Sequence, residues 1–69
     1  MSNLYLAKDI YTQESIEETI AAFINYAKIT ISHNETHYIC TFEQTIYDAV
    51  ETVMEFENYL IDYCNKLVV

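Results

Sequence analysis

The sequence predicts a single α+β domain in which the elements follow the order β-α-β-β-α. Its 69 residues allow one domain. Three short segments alternate apolar and polar residues, which is typical of strands with one buried face. Two longer segments repeat apolar residues at spacings of three and four, which is typical of amphipathic helices. The chain contains no Gly and no Pro, so we expect few turns.

The first strand is predicted at residues 3–7, or alternatively as far as Ile10, and the first helix at residues 13–26. Residues 3–7 alternate weakly between polar and apolar side chains. The N-cap of the helix is Thr12, or alternatively Ser15 as the first residue of a capping box. The apolar residues at helical spacing, which we expect to face the sheet, are Ile16, Ile20, Phe23, Ile24 and Ala27.

A β-hairpin is predicted from residues 28–32 and 37–43, which alternate cleanly. Ile29 and Ile31 share one face of the first of these strands. The second strand carries an apolar face composed of Tyr38, Cys40 and Phe42. The polar loop between them contains Asn34, the residue best suited there to a positive φ.

The second helix is predicted over residues 46–66, with Thr45 as N-cap and Asp48 completing a capping box. Its main apolar seam consists of Ile46, Ala49, Val53, Phe56, Leu60, Tyr63 and Leu67. Beside the seam runs a second stripe, which consists of Val50, Met54, Ile61, Cys64 and Val68. The polar face opposite carries Asp48, Glu51, Glu55, Asn58 and Asp62.

This order of elements fits a truncated ferredoxin-like fold, a βαββαβ pattern without a complete last strand. A right-handed crossover would make the first two strands parallel, and we expect the first strand to be central. Residues 67–69 could form a stub of the fourth strand. Otherwise a sheet edge is left free for another chain.

Charge and composition exclude several classes of function. The chain has 11 acidic residues, three lysines and no arginine, for a net charge of −8. Binding to nucleic acid or to an anionic membrane requires basic clusters, which the sequence lacks. We find neither an export signal nor an apolar run long enough to span a membrane. The sequence therefore predicts a cytoplasmic protein with reduced cysteines.

No catalytic, cofactor or metal site is predicted. His33, His37 and Glu35 surround the hairpin loop, but they lack a fixed fourth ligand, and a solvated turn is the simpler interpretation. Cys40 and Cys64 lie on apolar faces, where cysteine acts as a small hydrophobic residue. Without glycine there is no phosphate-binding loop. We therefore expect a protein that is not an enzyme.

The second stripe predicts a surface for a partner, because the first helix and the main seam already cover one small sheet. Tyrosine is favoured at interfaces, and the chain has seven. The predicted partner-binding residues are Met54, Tyr59, Ile61, Tyr63 and Val68. We expect a homodimer or a hetero-complex. The alternative is that both stripes belong to the core of a very compact domain.

Two segments, DIYTQESIEETIAAFINYA and FENYLIDYCNKLVV, resemble the small D protein of the His-Xaa-Ser peptide-maturation systems. The matching positions are Tyr11, Thr12, Glu14, Ile16, Phe56, Asn58, Leu60, Ile61, Asp62 and Val68. The chain departs from the family pattern near its end, where Asn65 and Lys66 stand in place of an expected arginine. The resemblance implies an accessory protein that binds a precursor peptide or its radical-SAM maturase. It implies no catalytic residue.

Two other functions remain open at the level of sequence. One is a small acidic inhibitor of the kind phages encode against host defences, whose carboxylates imitate a line of phosphates. Its basis is the net charge of −8 and the acidic face of the second helix. The other is a structural subunit of a larger enzyme.

Overall fold

The chain forms an antiparallel three-stranded sheet with two helices, an α+β fold, as predicted. The structure is a computed structural model that describes the backbone of residues 2–68 and the side chains of residues 2–65. Its elements are β1 (Ser2–Ala7), α1 (Gln13–Ala22), β2 (Ala27–His33), β3 (His37–Thr45) and α2 (Ala49–Val68).

The strand order is β1-β3-β2, and both outer strands pair antiparallel with β3. β1 and β2 are therefore parallel to each other, as predicted, but the expectation that β1 is central was wrong. The hairpin places β3 beside β2, and β1 adds to the other side of β3, with Leu4 opposite Cys40. This is a split βαβ unit, in which an antiparallel strand separates two parallel ones.

The core lies between one face of this sheet and the two helices. Alternation along each strand directs every second side chain to that face. The hairpin faces predicted from the sequence are confirmed, because their apolar residues all contribute to the core. Its buried apolar members are Leu6, Ile16, Cys40, Phe42, Phe56 and Leu60.

Helix α1 begins as the first of the two capping alternatives predicted. The Thr12 hydroxyl accepts a hydrogen bond from the Ser15 amide at 3.1 Å. The helix ends at Ala22, earlier than predicted, because the chain turns to enter β2. The Phe23 carbonyl accepts from the Ala27 amide at 3.0 Å in that turn. Ile24 consequently lies outside the helix and is 74% exposed, so its predicted place in the core was wrong.

Helix α2 begins at Ala49, three residues later than predicted. Asp48 rather than Thr45 provides the cap, because its carboxylate accepts from the Glu51 amide at 3.1 Å. Thr45 belongs to β3, and Ile46 is exposed instead of joining the seam. The helix continues through Val68, so that the predicted stub strand does not form at residues 67 and 68, while Val69 lies outside the described residues.

The hairpin loop turns without any positive φ in the described chain, contrary to the expectation for Asn34. Its side chain makes the turn instead, since the Asn34 amide oxygen accepts from the backbone amides of Thr36 at 2.9 Å and His37 at 2.7 Å. An asparagine side chain that accepts hydrogen bonds from the following backbone amides forms an Asx-turn, which takes the place of a backbone turn.

The cap of α2 gives a first prediction. Asp48→Ala should lower the free energy of unfolding by about 1 kcal/mol, because the first turn of α2 loses an acceptor and a favourable charge. Asp62→Ala is the matched control, since it removes the same charge from an exposed position within the helix. Urea unfolding measures both. Equal losses in the two variants would show that Asp48 does not act as the cap.

Candidate partner-binding surface

The two flanks of helix α2 have different surroundings. Phe56 and Leu60 point into the core and are fully buried, as predicted. On one side of them lies an exposed apolar strip, which we call the outer flank and which consists of Val50, Met54 and Ile61. Their side chains are 65%, 58% and 40% exposed, respectively.

The other flank of α2 faces α1. The ring of Tyr59 packs edge-on against Phe23, with centroids 5.8 Å apart. Burial raises the pKa of the Tyr63 hydroxyl, and the carboxylates of Glu18 and Glu14 on α1 raise that pKa further. Both tyrosines therefore lie on the α1 side, and the outer flank faces away from α1.

The outer flank lies on the side of α2 that is turned away from α1. Helix α2 contacts β3 and β1. Helix α1 lies toward the opposite edge of the sheet, where Ile20 lines a cavity of about 610 Å³ together with Ile29 of β2. The side of α2 that faces away from α1 is consequently the side nearest the free edge of β1.

The two sheet edges differ in their protection against pairing. The β2 edge carries the charged Lys28, and its pairing with β3 is irregular between Lys28 and Ile29, where β3 contributes the extra residue Glu43. Charges and bulges are devices that prevent an edge from pairing with another chain. The strand β1, Ser2–Ala7, contains no charge and no proline, and its pairing with β3 is regular. Its outer edge is therefore suited to accept a strand.

The predicted partner-binding residues fall into separate places. Met54 and Ile61 lie together on the outer flank, next to Val50, which the sequence had assigned to the same stripe but not to the site. Tyr59 and Tyr63 lie on the opposite flank, toward α1. Val68 belongs to α2, but its side chain lies outside the described side chains.

A second surface feature, absent from the sequence prediction, is a groove of about 560 Å³ between the end of α1 and α2. We call it the aromatic groove. Its walls are Ala22, Phe23, Tyr26, Tyr47, Glu51, Thr52, Glu55 and Tyr59. The Ile46 amide donates to the Tyr26 carbonyl at 2.9 Å, which joins the turn after α1 to the turn before α2. No residue pattern in the sequence predicts this contact between the two turns.

The side chains of the two hairpin histidines contact neighbouring polar side chains. Lys8 Nζ donates to His33 Nδ1 at 3.1 Å, and it lies over the ring of Tyr38 at 5.3 Å. His37 Nδ1 lies 2.8 Å from the Thr36 hydroxyl. Among the described residues there is no group of three side chains that could hold a metal ion.

Both cysteines are free thiols, as predicted. Cys40 is buried beneath the helices, and burial raises the pKa of its thiol from 9.0 to about 11. A thiol of this kind is protonated near neutral pH and does not act as a nucleophile. Cys64 is half-buried and packs against the core.

Comparisons of the chain with protein-family models, with curated proteins and with solved structures gave no match. The resemblance to the His-Xaa-Ser D proteins therefore stays a prediction from the residues alone. Within the part of the chain that is described, no helix has the length and apolar character needed to cross a membrane.

The different surroundings of adjacent α2 residues give a second prediction. Leu60→Ala should cost about 2–5 kcal/mol of unfolding free energy, because it leaves a cavity in the core. Ile61→Asp should cost less than about 1 kcal/mol, because the carboxylate remains in contact with water. Circular dichroism during urea unfolding compares the two. If Ile61→Asp destabilises the chain as much as Leu60→Ala, the outer flank belongs to the core.

The pKa of Cys40 gives a third prediction. Between about pH 9 and pH 11 the unfolded chain loses the thiol proton and the folded chain keeps it, so the free energy of unfolding falls as the pH rises. The loss at pH 10.5 relative to pH 8.5 should be about 2 kcal/mol from this group.

Cys40→Ala is the control for this pH dependence. It removes the thiol but leaves Tyr11 and Tyr63, whose pKa values are also raised and whose effect has the same sign. The difference between wild type and variant, measured by urea unfolding at both pH values, isolates Cys40. An identical decline in the two proteins would contradict a buried thiol.

Proposed function

We propose that this protein is a non-catalytic binding module that accepts an extended segment of a partner protein or peptide as a fourth strand on β1. The observation that carries the proposal is the uncharged, regularly paired strand β1 at the edge of the sheet, together with the exposed outer flank on the side of α2 turned away from α1. In strand addition, main-chain hydrogen bonds provide affinity and side-chain contacts provide specificity.

The topology defines where the partner strand lies. Residues 2–45 form one split βαβ unit, and a second such unit would require a strand parallel to β3 on the outer side of β1. No described residue of the chain occupies that position. A partner strand there would add alternate side chains to the core face of the sheet, on the side of α2 that carries the outer flank.

The net charge favours a different partner over a second copy. Each copy carries a charge of −8, so two copies repel, whereas a basic partner is attracted. If the resemblance to the His-Xaa-Ser systems is correct, the partner is a precursor peptide or a radical-SAM maturase, and the complex forms in the cytoplasm. The resemblance alone supports this part of the proposal.

The surroundings of the Cys40 thiol and of the two hairpin histidines support a binding role. The Cys40 thiol is buried, and the hairpin histidines bond to Lys8 and Thr36. The acidic-inhibitor alternative has weaker support, because Asp48, one member of the acidic face, serves as the cap of α2.

Strand addition gives a fourth prediction. The chain should form a complex with the product of a neighbouring gene, measured with purified proteins by light scattering and calorimetry. Met54→Asp and Ile61→Asp should each weaken that complex at least tenfold, because a carboxylate would be buried without a partner. Ser32→Asp, which adds the same charge on β2 at the other edge, should change the affinity less than threefold.

Several results would contradict the proposal. One is a complex that tolerates both aspartates, with the fold of each variant verified by circular dichroism. Another is the failure of every neighbouring product to bind. A dimer of the chain alone that is disrupted by Ile61→Asp would assign the outer flank to a second copy instead.

A further inference from the structure

The aromatic groove combines ring faces with carboxylates. Three of its aromatic side chains, Tyr26, Tyr47 and Tyr59, are about half exposed or more. Tyr26 and Tyr47 lie with centroids 6.4 Å apart and planes inclined by 31°. Phe23 stands edge-on to Tyr26, at 6.3 Å and 73°. The rings thus form the wall of a concave surface.

Among the side chains that the structure describes, no cation lies beside the carboxylates at the groove. Glu51 and Glu55 both line it, and they are four residues apart on α2. Like charges at this spacing repel and destabilise a helix. Of the lysines whose side chains are described, Lys8 contacts His33 and Tyr38, and Lys28 lines the cavity near β2. The groove therefore presents negative charge that no described side chain neutralises.

We propose that the aromatic groove binds the guanidinium group of an arginine presented by a partner protein. A cation is attracted to the face of an aromatic ring within about 6 Å of its centroid. Because the centroids of Tyr26 and Tyr47 are 6.4 Å apart, one cation can satisfy this distance to both rings. Glu51 and Glu55 supply the opposite charge, and binding relieves their mutual repulsion.

Arginine fits this groove better than lysine. Its guanidinium is planar, stacks on aromatic faces and bonds to a carboxylate through two parallel N–H groups. The ammonium of lysine is more strongly hydrated and has no plane to stack. The inference rests on the proposed function only in taking a partner protein as the source of the arginine.

The fifth prediction uses Nα-acetyl-arginine amide as the probe, titrated into the full chain and followed by ¹H–¹³C NMR of the tyrosine rings. The resonances of Tyr26, Tyr47 and Tyr59 should shift and saturate. Nα-acetyl-citrulline amide, which has the same shape without the charge, should bind at least tenfold more weakly. The corresponding lysine amide should bind with intermediate affinity.

Variants identify the groups responsible. Glu51→Gln combined with Glu55→Gln should weaken binding of the probe at least tenfold. The matched control is Glu35→Gln combined with Glu43→Gln, which removes two exposed charges outside the groove and should change affinity less than twofold. Tyr47→Leu should weaken binding at least fivefold, while Tyr47→Phe, which keeps the ring, should retain it.

Equal binding of arginine and citrulline amides, shifts that do not saturate, or full binding by the Glu51/Glu55 variant would overturn the inference. Free arginine should bind more weakly than its amide, since its α-carboxylate is repelled by the groove. Equal or tighter binding would assign the groove to a free amino acid. Because Ile61→Asp should leave probe binding unchanged, failure of the groove and failure of strand addition are distinguishable.

Discussion

The packing of Phe56 between Phe42 and Phe23 is the interaction on which the rest of the domain depends. The Phe56 ring meets Phe42 of β3 edge-on at 5.2 Å and Phe23 at the end of α1 at 5.4 Å. Aromatic pairs in this arrangement are favourable beyond the area they bury. One side chain thus joins the sheet and both helices, in a domain with few large buried residues.

This contact also determines which way α2 faces. With Phe56 and Leu60 directed into the core, the helix has no freedom to rotate, and residues on its two flanks take different surroundings. One flank lies against α1 and completes the aromatic groove through Tyr59. The other is turned away from α1 and exposes Met54 and Ile61. Both proposed binding sites follow from a single helix orientation.

The exposed apolar side chains matter for stability because the domain is small. A chain of 69 residues buries a modest fraction of its surface and gains only limited stability from its core. The alternative in which both stripes of α2 are core does not apply to the outer flank, although Cys64 of the same stripe does pack inward. A partner that covers the outer flank would add burial that the chain does not obtain alone.

The sequence by itself determined the element order, the core faces of the two hairpin strands and the buried positions of Phe56 and Leu60 in the seam of α2. These features follow from local periodicity, because a strand or helix exposes one face whatever it packs against. Thr12 was one of two caps that the sequence offered, because a cap hydroxyl bonds to the adjacent turn, and the structure selects it over Ser15. The exposure of Met54 and Ile61 was anticipated from an excess of apolar surface.

Only the tertiary structure decided the features that join distant parts of the chain. The central position of β3 depends on which edge of the hairpin β1 joins, and alternation is the same for either edge. The early end of α1 depends on the pairing that starts β2 at Ala27. The aromatic groove requires the turns at Tyr26 and Tyr47 to meet across the domain. A local sequence pattern does not predict these long-range contacts, because they depend on how the elements pack against one another.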